Sequence, residues 1–301
     1  MSNFLYDYWA IVDRPPLEWP EGKRLAFYVG LNIEHFEIGK PSTSISGLTA
    51  SLPIDPLNAG WRDYGLRVGI WRMIDLLDRH ELRASVLLNS DVPALYPQII
   101  DAGNARDWVW LAHGKNNSSL WTGMELEEER SALATLIDEL KRGTGKSPKG
   151  WLGPALTETA CTCELLAEHG FTYTLDWCAD DQPFPLKVKA GKFISVPYSI
   201  EVNDISFLLS IGGTGAEFGR LIIDQFDALY EESKRRPGAV ASIGLHPFLV
   251  NQPFRNRYLD EALNHVRSHD DVWFTTSDDI ADWYVDNYYD AAVEAQKQAS
   301  R

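Results

Sequence analysis

Residues 24–35 read Arg-Leu-Ala-Phe-Tyr-Val-Gly-Leu-Asn-Ile-Glu-His. The first ten form a short apolar run rich in aromatic and β-branched side chains, which predicts a buried strand. Residues 82–89, 108–112, 149–152, 172–175, 193–197, 239–245 and 272–275 repeat that character. Helical patterns lie between most of them, at 64–80, 91–103, 122–142, 157–169, 219–235 and 258–269, with a last one from 278 onward. In the first of these Val68, Trp71, Ile74, Leu76 and Leu77 make the apolar side. Thr122 followed by Glu125 has the spacing of a capping box. Eight strands alternating with helices predict parallel pairing, and the length favours a closed barrel over an open sheet. The expectation is an α/β protein, a single (β/α) barrel domain spanning 1–301. Residues 39–60, rich in Ser, Pro and Gly, are its one long loop insertion.

Composition narrows the functional classes. The 301 residues carry 28 Lys and Arg against 43 Asp and Glu, a formal charge of −15. Phosphate backbones and anionic membranes need a basic surface, so neither is expected as a partner. No apolar run approaches the ~18 residues that a membrane span requires. The first residues, Met-Ser-Asn-Phe-Leu-Tyr-Asp, show neither a basic nor an apolar leader region, so a cytoplasmic location is expected. Cys161, Cys163 and Cys178 are odd in number and lack zinc-knuckle spacing, which reads as reduced structural thiols.

In such barrels chemistry sits where strands end. Those ends carry Asn32, Glu34 and His35 after the first strand, and Asn89 after the second. His113, Lys115 and Asn117 follow the third, Trp151 closes the fourth, Asp176 and Trp177 follow the fifth, and His246 follows the seventh. A carboxylate directly after Leu31-Asn32-Ile33 is costly to bury without a partner, which makes Glu34 a site candidate. His113 and His246 at equivalent ends strengthen it. His35 falls on the opposite face if the strand continues, leaving a site role and a supporting role open. Asp176 reads equally as a loop-fixing carboxylate or as an orienting group for a histidine. His80, His169, His265 and His269 stand at helix C-termini, where a cation complements the dipole.

Other chemistries find less support. His113 and Asn117 are spaced i, i+4, one face of a helical turn, but Asn is a poor zinc ligand. No Gly-x-Ser-x-Gly elbow is present. The glycine-rich 211–215 segment does not follow a strand as a phosphate loop would, and reads as a flexible active-site loop.

Seven segments, in order, resemble the polysaccharide-deacetylase (NodB-homology) superfamily, and within it the allantoinase-like and cyclic imide hydrolase branch. They are Leu31-Asn32-Ile33-Glu34, residues 64–72, His113-Gly114, Gly150-Trp151, Asp176 with Ala179-Asp180, Val196-Pro197-Tyr198 with Asn203-Asp204, and residues 242–246 ending in His246. The resemblance covers about 14–284. It implies a distorted (β/α) barrel that hydrolyses C–N amide bonds, with His246 as proton donor or base. It also implies a homo-oligomer, since tetramers are common in that branch.

Metal-dependent members hold a divalent ion on an Asp-His-His triad. Here Asn32 and Glu34 stand in place of the strand-one acids, and Asn117 replaces the second histidine. The resemblance therefore implies no cofactor as the first expectation, and zinc only if the incomplete triad finds another ligand.

The expected activity is hydrolytic opening of a small cyclic imide, amide or ureide. Glu34 and His246 would serve as base and acid in either order, supported by His113 and Asn117. Asn32, Lys115, Trp151, Asp176 and Trp177 are the expected substrate contacts, with Lys115 on the oxyanion and the two indoles flanking the ring. The alternatives are a metal-dependent N-deacetylase of acetylated sugars or peptidoglycan fragments, and a catalytically degenerate binding protein.

Overall fold

The computed structural model describes residues 4–299 and centres on the expected parallel sheet. In chain order the strands are β1 (Leu25–Ile33), β2 (Ala84–Leu88), β3 (Val109–Ala112), β4 (Gly150–Trp151), β5 (Tyr173–Thr174), β6 (Phe184–Pro185), β7 (Ile194–Ser195), β8 (Ala239–Leu245) and β9 (Val272–Phe274). They run β6-β7-β5-β4-β3-β2-β1-β8, with β9 also paired to β1. Every pairing is parallel except β6 with β7. All nine residues of β1 are buried, because it lies between β8 and the β2/β9 pair with helices outside.

Closure differs from expectation. No ladder joins β6 or β7 to β8, and β6 itself, a two-residue antiparallel strand, was not expected. Prolines explain the shortness of the sheet here: Pro183, Pro185 and Pro197 lack the N–H that a ladder needs. Irregular chain fills the gap instead. Gly244 donates its amide to Val202 (3.0 Å) and Val240 to Asp181 (2.8 Å), and Asn203 makes an isolated bridge to Gly244. The result is a curled, distorted barrel whose last side is loop.

Helix boundaries shift for local reasons. The first helical stretch starts at Pro56, not 64: Asp55 accepts the Asn58 amide (3.2 Å) and proline occupies the first turn. The irregular excursion therefore ends at residue 55. Thr122 forms no capping box, and that helix spans Leu126–Thr144 after Glu125. A capping box forms at Thr214 and Glu217 instead and opens the helix Gly215–Ser233. Of the stretch read as a flexible loop, 212–214 are irregular, between a π-helical turn that ends at Ile211 and this helix.

The first helical stretch also positions the site. Pro56–Tyr64 and Ile70–Arg79 are joined by the π-helical turn Gly65–Gly69. A Cβ on Gly69 would lie 2.1 Å from the Pro247 carbonyl oxygen, and one on Gly65 2.9 Å from the Phe248 nitrogen. The helix backbone thus lies directly against the two residues that follow His246. We expect Gly69→Ala to cost about 1–3 kcal/mol by overpacking. Gly60, with open space at its Cβ, should gain up to about 1 kcal/mol as alanine. Urea midpoints of the two variants check this, and an unperturbed Gly69→Ala would mean that the contact has slack.

Candidate active site

A cavity of about 570 Å³ opens at the C-terminal ends of β1, β3 and β8. Its polar residues include Asn32, Glu34, His113, Asn117, Ser118, Tyr198, Asn203 and His246. Leu120, Leu152, Leu156, Ile200 and Ile205 make it apolar elsewhere, and Pro41, Ser42 and Thr43 reach it from the excursion after β1. Ala155 and Leu156, beside it, have left-handed backbone (φ 54° and 55°). Such strain costs about 1–3 kcal/mol per residue and concentrates at functional sites.

Glu34, 7% exposed, is the hub. Its Oε1 accepts from Asn117 Nδ2 (2.5 Å) and lies 3.3 Å from His113 Nε2 and 3.5 Å from His246 Nε2. Its Oε2 is buried with no hydrogen-bond partner. His113 is oriented by a 2.6 Å bond from Nδ1 to the Leu152 carbonyl. His246 is held from behind by Asp204, whose Oδ1 lies 2.6 Å from Nδ1 and whose Oδ2 accepts the His246 amide (2.8 Å).

Charge follows from this geometry. Burial favours neutral groups, raising a carboxyl and lowering an imidazole. For His246 burial is outweighed by the negative charges of Glu34 and Asp204 and by its bonds to them, so its pKa rises to about 10. For Glu34 burial is outweighed by the charge of His246 and by bonds from both histidines, so its pKa falls to about 2. Asp204 is raised by burial despite its bonds to His246. At neutral pH the line Asp204–His246–Glu34 holds a protonated His246 between two acidic side chains, Glu34 as carboxylate.

The amide orientations can be read from unambiguous backbone partners. Asn89 Oδ1 accepts the His35 N–H (2.9 Å), so its Nδ2 faces the His113 carbonyl and Asn117 Oδ1 (2.9 Å). Asn117 must then present its NH₂ to Glu34. This tests the fit of a divalent ion at the position of the family triad. The Asn117 oxygen is committed to Asn89 and its donor face is turned to the carboxylate. The residues present do not fit a metal there.

Tyr198 is fixed by the same logic. Asn32 Nδ2 donates to the Leu245 carbonyl (3.2 Å) and to Tyr198 Oη (3.2 Å). Asn203 Oδ1 accepts the Ile205 amide (3.1 Å), which turns its Nδ2 to Tyr198 Oη (3.1 Å). A phenol oxygen accepting two amides keeps its own proton to donate, and burial keeps that phenol protonated by raising its pKa. Two glycines paired in register, Gly30 and Gly244, make room: a Cβ on either would come within 2.8 Å of Tyr198.

The structure thus gathers Asn32, Glu34, His113, Asn117 and His246, and leaves four expected residues outside the cavity. Lys115 is exposed and paired with Asp91 (2.5 Å), pulled away by that charge. Trp151 is fully buried and packs on Trp121 (4.9 Å), because the strand's alternation turns it into the core. Asp176 is half-buried, accepts the Gly153 amide (2.8 Å) and fixes that loop. Trp177 packs on Phe4 and Tyr6 and donates to Glu158 (3.2 Å), beside a different depression. His35 contributes backbone only, bonding Asn89 and Asn117, while its ring lies near Tyr96. His113 and Asn117 converge through a turn at Gly114 (φ 61°), not through a helix.

Sequence reasoning named Asn89, Tyr198, Asn203 and Asp204 at strand ends or in the resembling segments but gave none of them a site role. The signal was present in Tyr198 and the Asn203-Asp204 pair after the sixth expected strand.

No family model matches the chain. Similar proteins are nevertheless clear. The Helicobacter pylori peptidoglycan deacetylase is 25% identical over 252 residues, covering 71% of this chain and 83% of that protein. A probable polysaccharide deacetylase from Pseudomonas aeruginosa PAO1 is 28% identical with a TM-score of 0.81, covering 91% of this chain and 95% of that one. These relatives bear out the resemblance to the polysaccharide-deacetylase (NodB-homology) superfamily, and the chain is a hydrolase of carbon–nitrogen bonds other than peptide bonds. The resemblance extends to the allantoinase-like branch: PuuE allantoinase has a TM-score of 0.83 and 27% identity, covering 91% of this chain and 95% of that one. Among the described residues no helix is long and apolar enough to cross a membrane.

Proposed function

We propose that this hydrolase opens a small cyclic imide, amide or ureide by acid–base activation of water, without a metal in the cavity. The observation that carries the reading is the buried Asp204–His246–Glu34 line, with Asn117 turned as a donor toward the carboxylate.

Glu34, which lines the cavity, acts as base and His246 as acid. A carboxylate with so low a pKa is a weak base on its own. Its proton uptake is coupled, however. Once Glu34 is neutral, the main charge holding the imidazolium proton is gone, and His246 releases it to the leaving nitrogen. The cycle closes when Glu34 returns the proton across the 3.5 Å pair, downhill from a carboxylic acid to an imidazole. Tyr198 Oη takes the oxyanion role expected of Lys115.

The apolar walls select the substrate. A volume of about 570 Å³ suits a small molecule, and five aliphatic side chains favour a ring carrying an apolar arm. Hydrolysis should be compared on 5-alkyl- and 5-aryl-hydantoins, substituted cyclic imides, dihydropyrimidines, allantoin and N-acetylglucosamine oligomers, before and after chelation. We expect ring opening that survives chelation, with arm-bearing rings favoured in kcat/KM by about 10–200-fold over the polar ureide allantoin. Activity confined to acetylated sugars and lost on chelation would overturn the reading in favour of a deacetylase. Binding without turnover of any ring would leave a degenerate binding protein.

A further inference from the structure

The helices Gly215–Ser233 and Pro253–Arg267 pack together and converge three ligand-type side chains that play no part in the cavity: Asp227, His265 and His269. One ligand atom from each lies within 4.8 Å of the other two. His265 Nε2 is 2.7 Å from Asp227 Oδ1, and His269 Nε2 is 4.0 Å from the same oxygen. The i, i+4 spacing of the two imidazoles places them on one face, with the chain still helical in backbone at Ser268.

Two features go beyond a histidine–carboxylate pair at a helix end. His269 Nδ1 lies 2.9 Å from the His265 carbonyl and donates to it, which leaves the lone pair of the neutral ring on Nε2. Metal-ligating histidines show this same outer bond, which sets the tautomer and aims the ligand nitrogen. Phe226 and Tyr230 also hold the His269 ring edge-on, at 5.0 and 4.8 Å between centroids, so the ligand direction is rigid. The three residues are half-buried, which leaves a side open to water.

We infer that Asp227, His265 and His269 form a second-site cage for a divalent transition ion such as zinc. Two imidazole nitrogens, a carboxylate oxygen and a water suit its tetrahedral preference, whereas calcium and magnesium prefer oxygen donors. Bonds of about 2.0–2.2 Å require the trio to contract, which rotation of the Asp227 and His265 side chains toward His269 supplies. The proton now between His265 Nε2 and Asp227 moves to Nδ1 or is released. The ion would clamp the two helices and the turn into β9, and none of its ligands lines the cavity. Zinc carried by the purified protein would then report this clamp and not the reaction.

The test titrates the full chain with Co²⁺, read by its d–d absorption, and with Zn²⁺ in competition with a chromophoric chelator. One ion per chain is expected. His269→Ala and Asp227→Asn should each weaken it about 10–100-fold, while ring hydrolysis stays unchanged. Zinc should raise the melting temperature of the parent chain but not that of a His265→Ala/His269→Ala double variant. Binding that is unaffected by these variants, that is no tighter than millimolar, or that is lost instead in His113→Ala overturns the inference.

Discussion

Glu34→Gln is expected to lower kcat/KM for ring hydrolysis by about 10²–10⁴, the size of one general acid–base contribution. The amide keeps the volume and the neighbours of the carboxylate but cannot take a proton from water. A second readout separates this role from a packing defect. In the parent enzyme His246 must be protonated to act as acid, so activity is present below its pKa of about 10 and falls as pH rises through that value. Removing the Glu34 charge deletes the larger of the two attractions that oppose burial, leaving Asp204 alone. The alkaline limb of the residual activity should therefore move to lower pH.

Stability follows the same linkage. The raised His246 contributes stability fully below its ordinary value of about 6.5, lost as pH rises through about 10. The lowered Glu34 contributes above the ordinary carboxylate range, lost as pH falls through about 2. A Glu34→Gln enzyme with parental turnover and an unmoved alkaline limb would sink both the base assignment and the coupling.

The barrel was legible because its signal is local and repeated. An apolar run such as 24–33 has few ways to satisfy itself except as a buried strand, and β1, β2, β3 and β8 lie where their sequences put them. What failed depended on proline. Around residues 183–197 the missing donors shorten β6 and β7 and leave the barrel's last side to loop, so no strand pattern could report the closure. In the site, Glu34, His113 and His246 were readable because each polar residue directly follows an apolar strand. Lys115, Trp151, Asp176 and Trp177 stand at the same strand ends but lie outside the cavity. Adjacency to a strand end does not say which way a side chain turns, and Asp91, Trp121, Gly153 and Phe4 claimed the four. Asp204 and Tyr198 were given no role because their partners lie 42 and 166 residues away in sequence.

Tyr198→Phe should lower kcat by about 10²–10³ with little change in KM, the expected loss for one donor to a developing oxyanion. A carbonyl oxygen in the ground state is a modest acceptor, whereas the tetrahedral intermediate concentrates charge on it. A donor already held in place therefore acts mainly on the transition state. The hydroxyl is held by two amides whose orientations are fixed by the Leu245 carbonyl and the Ile205 amide, so it need not reorganise as charge develops. Phenylalanine keeps the ring that Gly30 and Gly244 accommodate, but leaves the Asn32 and Asn203 donors without their common acceptor. That structural cost is itself about 1–3 kcal/mol and should appear in the urea midpoint.

The two effects are distinguishable. Asn203→Ala removes one support of the phenol but leaves its proton, so it should lower stability while costing kcat much less than Tyr198→Phe. If Asn203→Ala and Tyr198→Phe reduce kcat equally, Tyr198 is scaffolding and the oxyanion must be met by another donor.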